Sequence, residues 1–463
     1  MKQTVAIIGA GITGLSLASF LSPNFNVILI EKEKEIGGLC GSFVKEGFTL
    51  DYGPHKLYPQ NSISLNAIKN LYSDNPSDLL VVRKKSRISL RGRYFSYPLK
   101  MTELLLKFNP FLAMKLLFSY STSLISNFIF RKDLSSYENF LKSKFGKGIY
   151  ELVFKSNANK IWGNPQLLSS DLAKTRISSP SLFKLIMNIL IKTENPEINA
   201  KTFFYPKNYI QDLMNKFKEV IIRNNGKIIT SSIISELIIK GKSITGIKLR
   251  NKKIKIDYLI STSTLHDSLN LLKAPKEIKE KASHLKLRGL ALVYFVINKP
   301  MALKDNWIFF PCKDFIFQRV SEQKSFSSFN QPQEKSVITA EISLRPEIEN
   351  LKDSEIIQKA KNDLIKSGIL KENDFVYSFL IKKEQIYPVY SLDYKKNLNL
   401  VLNWIDSNFT NFITCGRNGL FNYNNMDHCI DMSAKIAEHL KNKGNLEQMK
   451  KLRRYFETYK IVD

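Results

Sequence analysis

The residues in this chain best suited to chemistry are neither nucleophiles nor metal ligands but three glycines and an acid. Thr4-Val-Ala-Ile-Ile8 is an apolar strand pattern that runs straight into Gly9-Ala-Gly11-Ile12-Thr13-Gly14, and a second strand pattern, Asn26-Val-Ile-Leu-Ile30, ends at Glu31. A strand, a G-x-G-x-x-G turn, a helix and an acid about 20 residues later form a dinucleotide-binding unit. Gly9 makes the tight turn, Gly11 leaves room for a pyrophosphate, and Gly14 lets the helix from Ile12 to Leu21 pack against the strand. The helix N-terminus then offers unpaired N–H groups and the positive end of its dipole to phosphates. Glu31, with Lys32 beside it, stands where a carboxylate accepts hydrogen bonds from both hydroxyls of an adenosine ribose, which argues against a 2′-phosphate. A glycine-rich turn without a ligand would leave Glu31 unexplained. No Ser-His-Asp set, metal cluster or pair of acids dominates, in keeping with a cofactor that carries the difficult chemistry.

Composition sets the frame for these motifs. With 463 residues and 43% hydrophobic content the chain has material for a large core and two or three structural units. Lys plus Arg number 70 against 42 Asp plus Glu, a formal charge of +28. The lysines are scattered among Ile and Asn rather than gathered in an aromatic-interleaved groove, so nucleic acid is not expected as a partner. A solvated basic surface, an anionic substrate or loose contact with lipid each accommodates the excess. Cys40, Cys312, Cys415 and Cys429 form no C-x-x-C pair and no metal-ligand spacing with the five histidines, and read as reduced thiols of a cytoplasmic protein. No signal peptide is expected, because the first apolar run is used by the opening strand.

Several elements must position these groups. A strand pair around Arg87 to Pro98 precedes a helical region from about Met101 to Lys192. Within it Phe111 to Phe130 is apolar over a bilayer-spanning length, but its Ser and Thr content fits a buried helix or a membrane-surface patch better than a span. Short strand patterns at Lys227 to Thr230, Ile233 to Ile239, Ser243 to Leu249 and Lys255 to Ser261 suggest a β-meander. From Arg288 to Lys383 alternating apolar runs predict an antiparallel sheet, and the charged tail after Lys441 is expected to fray.

The segments beyond the first turn carry a family resemblance. Gly37-Gly38-Leu39-Cys-Gly-Ser-Phe43, followed by Gly47-Phe-Thr-Leu-Asp51-Tyr-Gly53-Pro-His55, resembles the flavoprotein superfamily of amine oxidases, protoporphyrinogen oxidases, carotenoid desaturases and UDP-galactopyranose mutases. Near the other end, Phe412-Ile-Thr-Cys-Gly416-Arg417-Asn-Gly419 through Asn425-Met426-Asp427 looks like the C-terminal FAD motif of that superfamily, a strand leading to the flavin and then a helix to about Leu440. The run from Gly146 through Trp162-Gly163 to Arg176 is similar to the substrate-domain signature of the mutases and protoporphyrinogen-oxidase-like proteins. Tyr205-Pro206-Lys207-Asn-Tyr209 resembles the family's Tyr-Pro-Lys-Gly-Gly segment with both glycines replaced.

The resemblance implies an α/β (α+β overall) fold, with a Rossmann-like FAD-binding domain carrying a β-meander and a substrate domain of helices and an antiparallel sheet. The expected boundaries are 1–65, 200–285 and 385–445 for the discontinuous FAD domain, 66–199 and 286–384 for the substrate domain, and 446–463 for the tail. It implies FAD as cofactor, with NAD(P)H as one candidate reductant. Gly9, Gly11, Ile12, Thr13, Gly14, Glu31, Lys32, Gly37, Gly38, Leu39, His55, Gly416, Arg417, Asn425, Met426 and Asp427 fall on the cofactor motifs. His55, Trp162, Arg176 and Tyr387 are the candidate catalytic residues; their ordinary readings are a satisfied loop histidine, a core tryptophan and a surface arginine. Tyr387-Pro-Val-Tyr390 could present phenols to a substrate phosphate. The implied activity is that of an FAD-dependent oxidoreductase in which flavin N5 takes a hydride from a small organic substrate. The alternative is a redox-neutral mutase acting on a nucleotide sugar.

Overall fold

The computed structural model describes residues 2–99, 101–129, 133–177, 201–329 and 332–461. It divides the chain into two compact units, one from Met1–Val81, Phe203–Lys286 and Tyr394–Ile461, the other from Val82–Thr202 and Leu287–Asp393.

The first unit is built on a five-stranded parallel sheet in the order Phe412–Thr414, Tyr258–Ser261, Thr4–Ile8, Asn26–Ile30, Lys227–Ile229. Thr4–Ile8, with Val5, Ala6 and Ile7 fully buried, sits at its centre, as expected of a continuous apolar strand covered on both faces. The helix Ile12–Leu21 that follows is buried almost all round, its residues being small or apolar on every side. It packs on the late helix Met426–Lys441, where Ser16 Oγ meets Ser433 Oγ at 2.9 Å and Ser433 Oγ donates to the Thr13 carbonyl at 3.0 Å. Residues more than 400 positions apart thus share one core. Ile234–Lys240, Ser243–Leu249 and Lys252–Lys255 form the meander, antiparallel throughout. Lys227–Ile229 and Tyr258–Ser261, expected in the same series, instead join the parallel sheet.

The tail differs from expectation. Leu446–Phe456 is a helix capped by Asn445, and Met449, Phe456 and Ile461 are buried. Arg453 Nη1 reaches Asp406 at 2.7 Å, so the charges that suggested fraying instead tie the helix down. Its apolar residues recur at helical spacing under that charge.

The second unit carries a seven-stranded sheet in the order Phe375–Pro388, Leu287–Ile297, Ser336–Leu344, Arg319–Glu322, Trp307–Phe309, Ser86–Leu90, Arg93–Ser96. The expected antiparallel sheet is present, with one parallel step between Trp307–Phe309 and Ser86–Leu90. A helix, Asp353–Lys366, interrupts the strand series. Before the long strands come the helices Met101–Lys107, Pro110–Ile129, Tyr137–Ile149, Ser156–Ile161 and Ser170–Arg176; the rest of the region expected to be helical, 178–192, lies outside the described residues. Gly146 interrupts Tyr137–Ile149 with φ +77°, and a Cβ there would stand 2.5 Å from the Ser119 carbonyl oxygen. Only glycine allows the two helices to approach this closely. A π-helical turn, Tyr150–Lys155, follows directly and re-aims the chain toward Trp162.

Candidate functional site

In the first unit the glycine motifs converge. Gly9 takes φ +95°, and its carbonyl oxygen would lie 1.8 Å from a Cβ on Gly14, so the turn and the helix leave no room for a side chain. A Cβ on Gly11 would meet nothing nearer than the Gly37 carbonyl at 4.0 Å, which leaves the space above the helix N-terminus open. Gly37 N–H donates to the Ala10 carbonyl at 2.8 Å and pairs with Gly11 in a short parallel bridge, bringing Gly38 against Gly11. From the far end of the chain, Gly416 (φ +82°) packs on Thr13, 2.9 Å from the Thr13 hydroxyl to a Cβ built at the glycine. The cradle is therefore made from three segments that the sequence scatters over its whole length.

Glu31 is buried just past the second strand. Its Oε2 accepts from Ala10 N–H at 2.6 Å and its Oε1 from Glu33 N–H at 3.0 Å, which locks the carboxylate at the rim of the turn and leaves each oxygen a further lone pair. Lys32, assigned to the cofactor with it, points to solvent and lies 4.0 Å from Glu33.

Asp51 joins the segments around the glycine pair. It is buried and accepts from Ser42 Oγ at 2.6 Å, from Tyr205 OH at 2.5 Å and from Ile210 N–H at 3.3 Å, while burial pushes its carboxyl up to about 6. Tyr205 belongs to the Tyr-Pro-Lys segment, so this acid anchors that segment to the glycine pair. His55, half-buried, sets Nδ1 3.1 Å from the Gly53 carbonyl. Five residues on, Gln60 N–H points at Asp427 Oδ2 at 3.4 Å, linking the His55 loop to the start of the late helix.

That helix start is where buried polar atoms lack partners. Thr414 Oγ1, both side-chain polar atoms of Asn424, and Asp427 Oδ1 are buried with no hydrogen-bond partner among the described residues. Buried polar groups are ordinarily satisfied, so several on one short stretch mark a place for a polar ligand. Asp427 is 1% exposed and burial pushes its carboxyl up to about 7; His428, its ring 3.8 Å away, is held down at about 4 by burial and accepts from Asn425 N–H through Nδ1. Asn425 caps the helix and Met426 is buried beside it. Arg417 turns its guanidinium onto the Asn424 carbonyl, 3.1 Å from Nε, and so braces the loop that presents these atoms. Cys40, Cys415 and Cys429 lie buried in these motifs with thiols pushed up chiefly by burial, which makes them poor nucleophiles. The donor set fits a dinucleotide with a second polar ring system: a backbone cradle for phosphates, a fixed acid for ribose, and unpaired amide, hydroxyl and carboxyl groups beyond.

The other three candidate residues gather in the second unit. Trp162 is buried at the end of Ser156–Ile161, its ring 6.2 Å from Tyr137, with the Arg176 guanidinium 5.4 Å from its centroid. Arg288, which the sequence reading did not nominate, donates from Nη2 to the Trp162 carbonyl at 3.2 Å and from Nη1 to the Leu344 carbonyl at 2.9 Å. Its Nε is buried without a partner among the described residues, and burial holds its pKa below the usual arginine value. Arg288 stands opposite Tyr387 in the register of Leu287–Ile297 with Phe375–Pro388. The Tyr390 carbonyl accepts from Ser169 N–H at 2.7 Å, which brings the Tyr387 segment beside the start of the Arg176 helix.

Lys160 was also missed. It is 3% exposed, and its Nζ reaches the carbonyls of Phe310 at 2.6 Å, Cys312 at 2.5 Å and Phe317 at 3.0 Å, pinning the tryptophan-bearing helix to the sheet. The signal for both was the same: a cation on an otherwise apolar face, Lys160 seven residues from buried Val153 and Arg288 at the mouth of a fully buried strand. Among the described residues no group of three or more His, Cys, Asp or Glu could hold a metal, and no helix is long and apolar enough to cross a membrane.

Known proteins place this geometry in context. Residues 7–73 match the family model of the NAD(P)-binding Rossmann-like domain. Coproporphyrinogen III oxidase of Staphylococcus aureus is 39% identical over 74 residues, 15% of this chain and 16% of that protein, so the chain matches only about one sixth of that relative's length. Among solved structures, reduced UDP-galactopyranose mutase superposes with a TM-score of 0.83 at 20% identity, over 100% of this chain and 99% of that one. A protein from Exiguobacterium sp. 255-15, provisionally assigned as a protoporphyrinogen oxidase, gives 0.73 at 16% identity over 96% and 99%. The chain accordingly shares the mixed α/β fold of these two solved structures, and its first segment is a Rossmann-like dinucleotide-binding domain.

Proposed function

We propose that the chain is an FAD-dependent oxidoreductase whose first unit holds the cofactor and whose second unit binds a negatively charged organic substrate. The observation that carries the reading is the joint presence of the Gly9–Gly14 cradle with Glu31 and the buried unpartnered atoms of Thr414, Asn424 and Asp427. Bound FAD would supply a hydride acceptor when oxidised and a reductant or nucleophile when reduced. The chain's own residues bind and orient. The helix N-terminus after Gly11 takes the pyrophosphate, Glu31 the ribose hydroxyls, and Asn424, Thr414 and Asp427 the polar edge of the ring system. In the second unit Arg176 lies over the Trp162 ring and Arg288 bonds the Trp162 carbonyl, so two guanidinium groups gather positive charge there for an anionic substrate. His55 is assigned to orient the reacting groups.

A second reading is favoured by one observation, the TM-score of 0.83 with the mutase over nearly the whole of both chains. In it the arginines hold the diphosphate of a nucleotide sugar and the reaction is a redox-neutral pyranose–furanose interconversion.

One experiment tests both. The purified protein should show bound flavin, and after anaerobic reduction by NAD(P)H or dithionite it is offered UDP-galactofuranose and related nucleotide sugars. Ring interconversion without net flavin oxidation selects the mutase; reduction of oxidised flavin by an organic substrate selects the oxidoreductase. A folded protein that neither carries nor takes up FAD overturns both.

A further inference from the structure

We propose that the helix Pro110–Ile129 docks the protein on anionic lipid bilayers, lying in the headgroup plane rather than crossing it. This helix has two faces of different character. Ala113, Leu116, Tyr120 and Ser123 are buried, and its packing on Tyr137–Ile149 is fixed by Gly146 and by Ser123 Oγ, which donates to the Ser143 carbonyl at 2.7 Å. The opposite face carries Phe111, Met114, Phe118 and Ile125 at 76%, 64%, 72% and 61% exposure. At 100° per residue these four fall within about 60° of arc, a continuous apolar stripe along some 20 Å of helix. Leu106 of the preceding helix, 85% exposed, lies just before its start in sequence. Val44, Val81 and Ile233 are equally exposed elsewhere but stand singly, as surface apolar residues commonly do.

Charge selects the occupant. Between Glu103 and Asp133 the sequence has four basic residues, Lys107, Lys115, Arg131 and Lys132, and no acid, with Lys107 paired to Glu103 at 2.6 Å. Lys115 lies on the exposed face beside Phe111 and Phe118. Such a face meets an anionic headgroup layer with complementary sign, whereas pairing two copies of it would set like charges together. The helix falls short of what a membrane span requires, and large aromatic and aliphatic residues beside a lysine on one face are what an interfacial helix needs. Contact at the membrane periphery thus acquires a definite surface, independent of which reaction the protein catalyses.

The test is flotation of the full flavin-loaded protein with vesicles of phosphatidylcholine alone and of phosphatidylcholine with 30% phosphatidylglycerol. The wild type is expected to float with the anionic vesicles, to bind neutral ones at least ~tenfold less, and to be released as salt rises well above ~0.15 M. The double variant Phe111→Ser/Phe118→Ser is expected to lose at least ~tenfold in binding while keeping its flavin and its unfolding temperature, since both side chains are exposed. Equal binding to both vesicle types, no binding to either, or undiminished binding by the double variant overturns the proposal. So does a wild-type dimer in sedimentation that the double variant abolishes, which would assign the stripe to a second copy of the chain.

Discussion

The two units hold their candidate sites by different means. In the first, the site is mostly backbone: Gly9, Gly11 and Gly14 are required because main chain passes main chain, and the side chains that matter, Glu31 and Asp427, are fixed by N–H groups of neighbouring turns or stand at a helix start. In the second, the site is mostly side chain. Trp162, Arg176, Arg288 and Tyr387 come from two short helices and two strands, and only the folded sheet brings them together. A backbone site leaves a periodic trace in sequence, because glycine is the residue that tolerates such close approach. A side-chain site leaves residues whose types are common everywhere.

The largest effect should come from the tightest backbone contact. Gly14→Ala would put a methyl 1.8 Å from the Gly9 carbonyl oxygen, and neither partner is a flexible side chain that could move aside. We expect loss of bound flavin and about 3 kcal/mol or more of stability, read by flavin absorbance and chemical unfolding. A Gly14→Ala protein that retains flavin would show that the first unit tolerates what its geometry forbids.

This contrast also explains what was legible beforehand. The strand Thr4–Ile8, its turn and Glu31 could be read because apolar run, glycine spacing and acid all have local causes. Gly416 and the helix Met426–Lys441 could be read because that segment resembles the C-terminal FAD motif of the flavoprotein superfamily. Asp51 sat within a recognised segment, yet nothing local announces that Tyr205 and Ile210 would bond it. Arg288 was illegible as a site residue for the same reason: its partners, Trp162 and Leu344, are 126 and 56 positions away. The tail misled because its charges outnumber its apolar residues, although the few apolar ones share one face of a helix.

The second prediction works on the side-chain site. Arg288→Ala removes a half-buried guanidinium from between Trp162 and Leu344, and we expect KM for an anionic substrate to rise about a hundredfold, near 3 kcal/mol, with flavin content unchanged. Arg288→Lys keeps the charge but not the two-sided geometry and should recover only part of the loss. Flavin loss in either variant would mean that the units do not divide cofactor and substrate as proposed.

Asp427 sharpens the comparison from within the first unit. Burial raises its folded pKa to about 7, whereas an unfolded aspartate titrates near ~4. Between these values the folded protein keeps a proton that the unfolded chain releases. Stability therefore falls as pH rises through this window, and the loss is complete above it. His428 and Lys56 face the same carboxyl, the first held neutral by burial and the second opposing the shift. Relative to Asp427→Asn, the flavin-free wild type should lose about 2 kcal/mol between pH 5 and pH 8 in urea unfolding. Parallel curves would mean that the carboxyl is ionised throughout and already has a partner in solution.

The smallest effect is expected at the residue the sequence marks most plainly. Glu31→Gln retains size and one acceptor oxygen, but its amide must turn an NH2 group toward either Ala10 N–H or Glu33 N–H, both of which are donors. One hydrogen bond inside the turn is lost and the ribose contact loses its charge, so FAD affinity should fall about tenfold, near 1.4 kcal/mol, by fluorescence titration. The reason it falls no further lies in the backbone character of this site: the pyrophosphate cradle, the open space above Gly11 and the bracing by Gly37 and Gly416 all remain. A loss of a thousandfold or more would shift the weight to the side chain, and the first unit would then hold its ligand as the second one does.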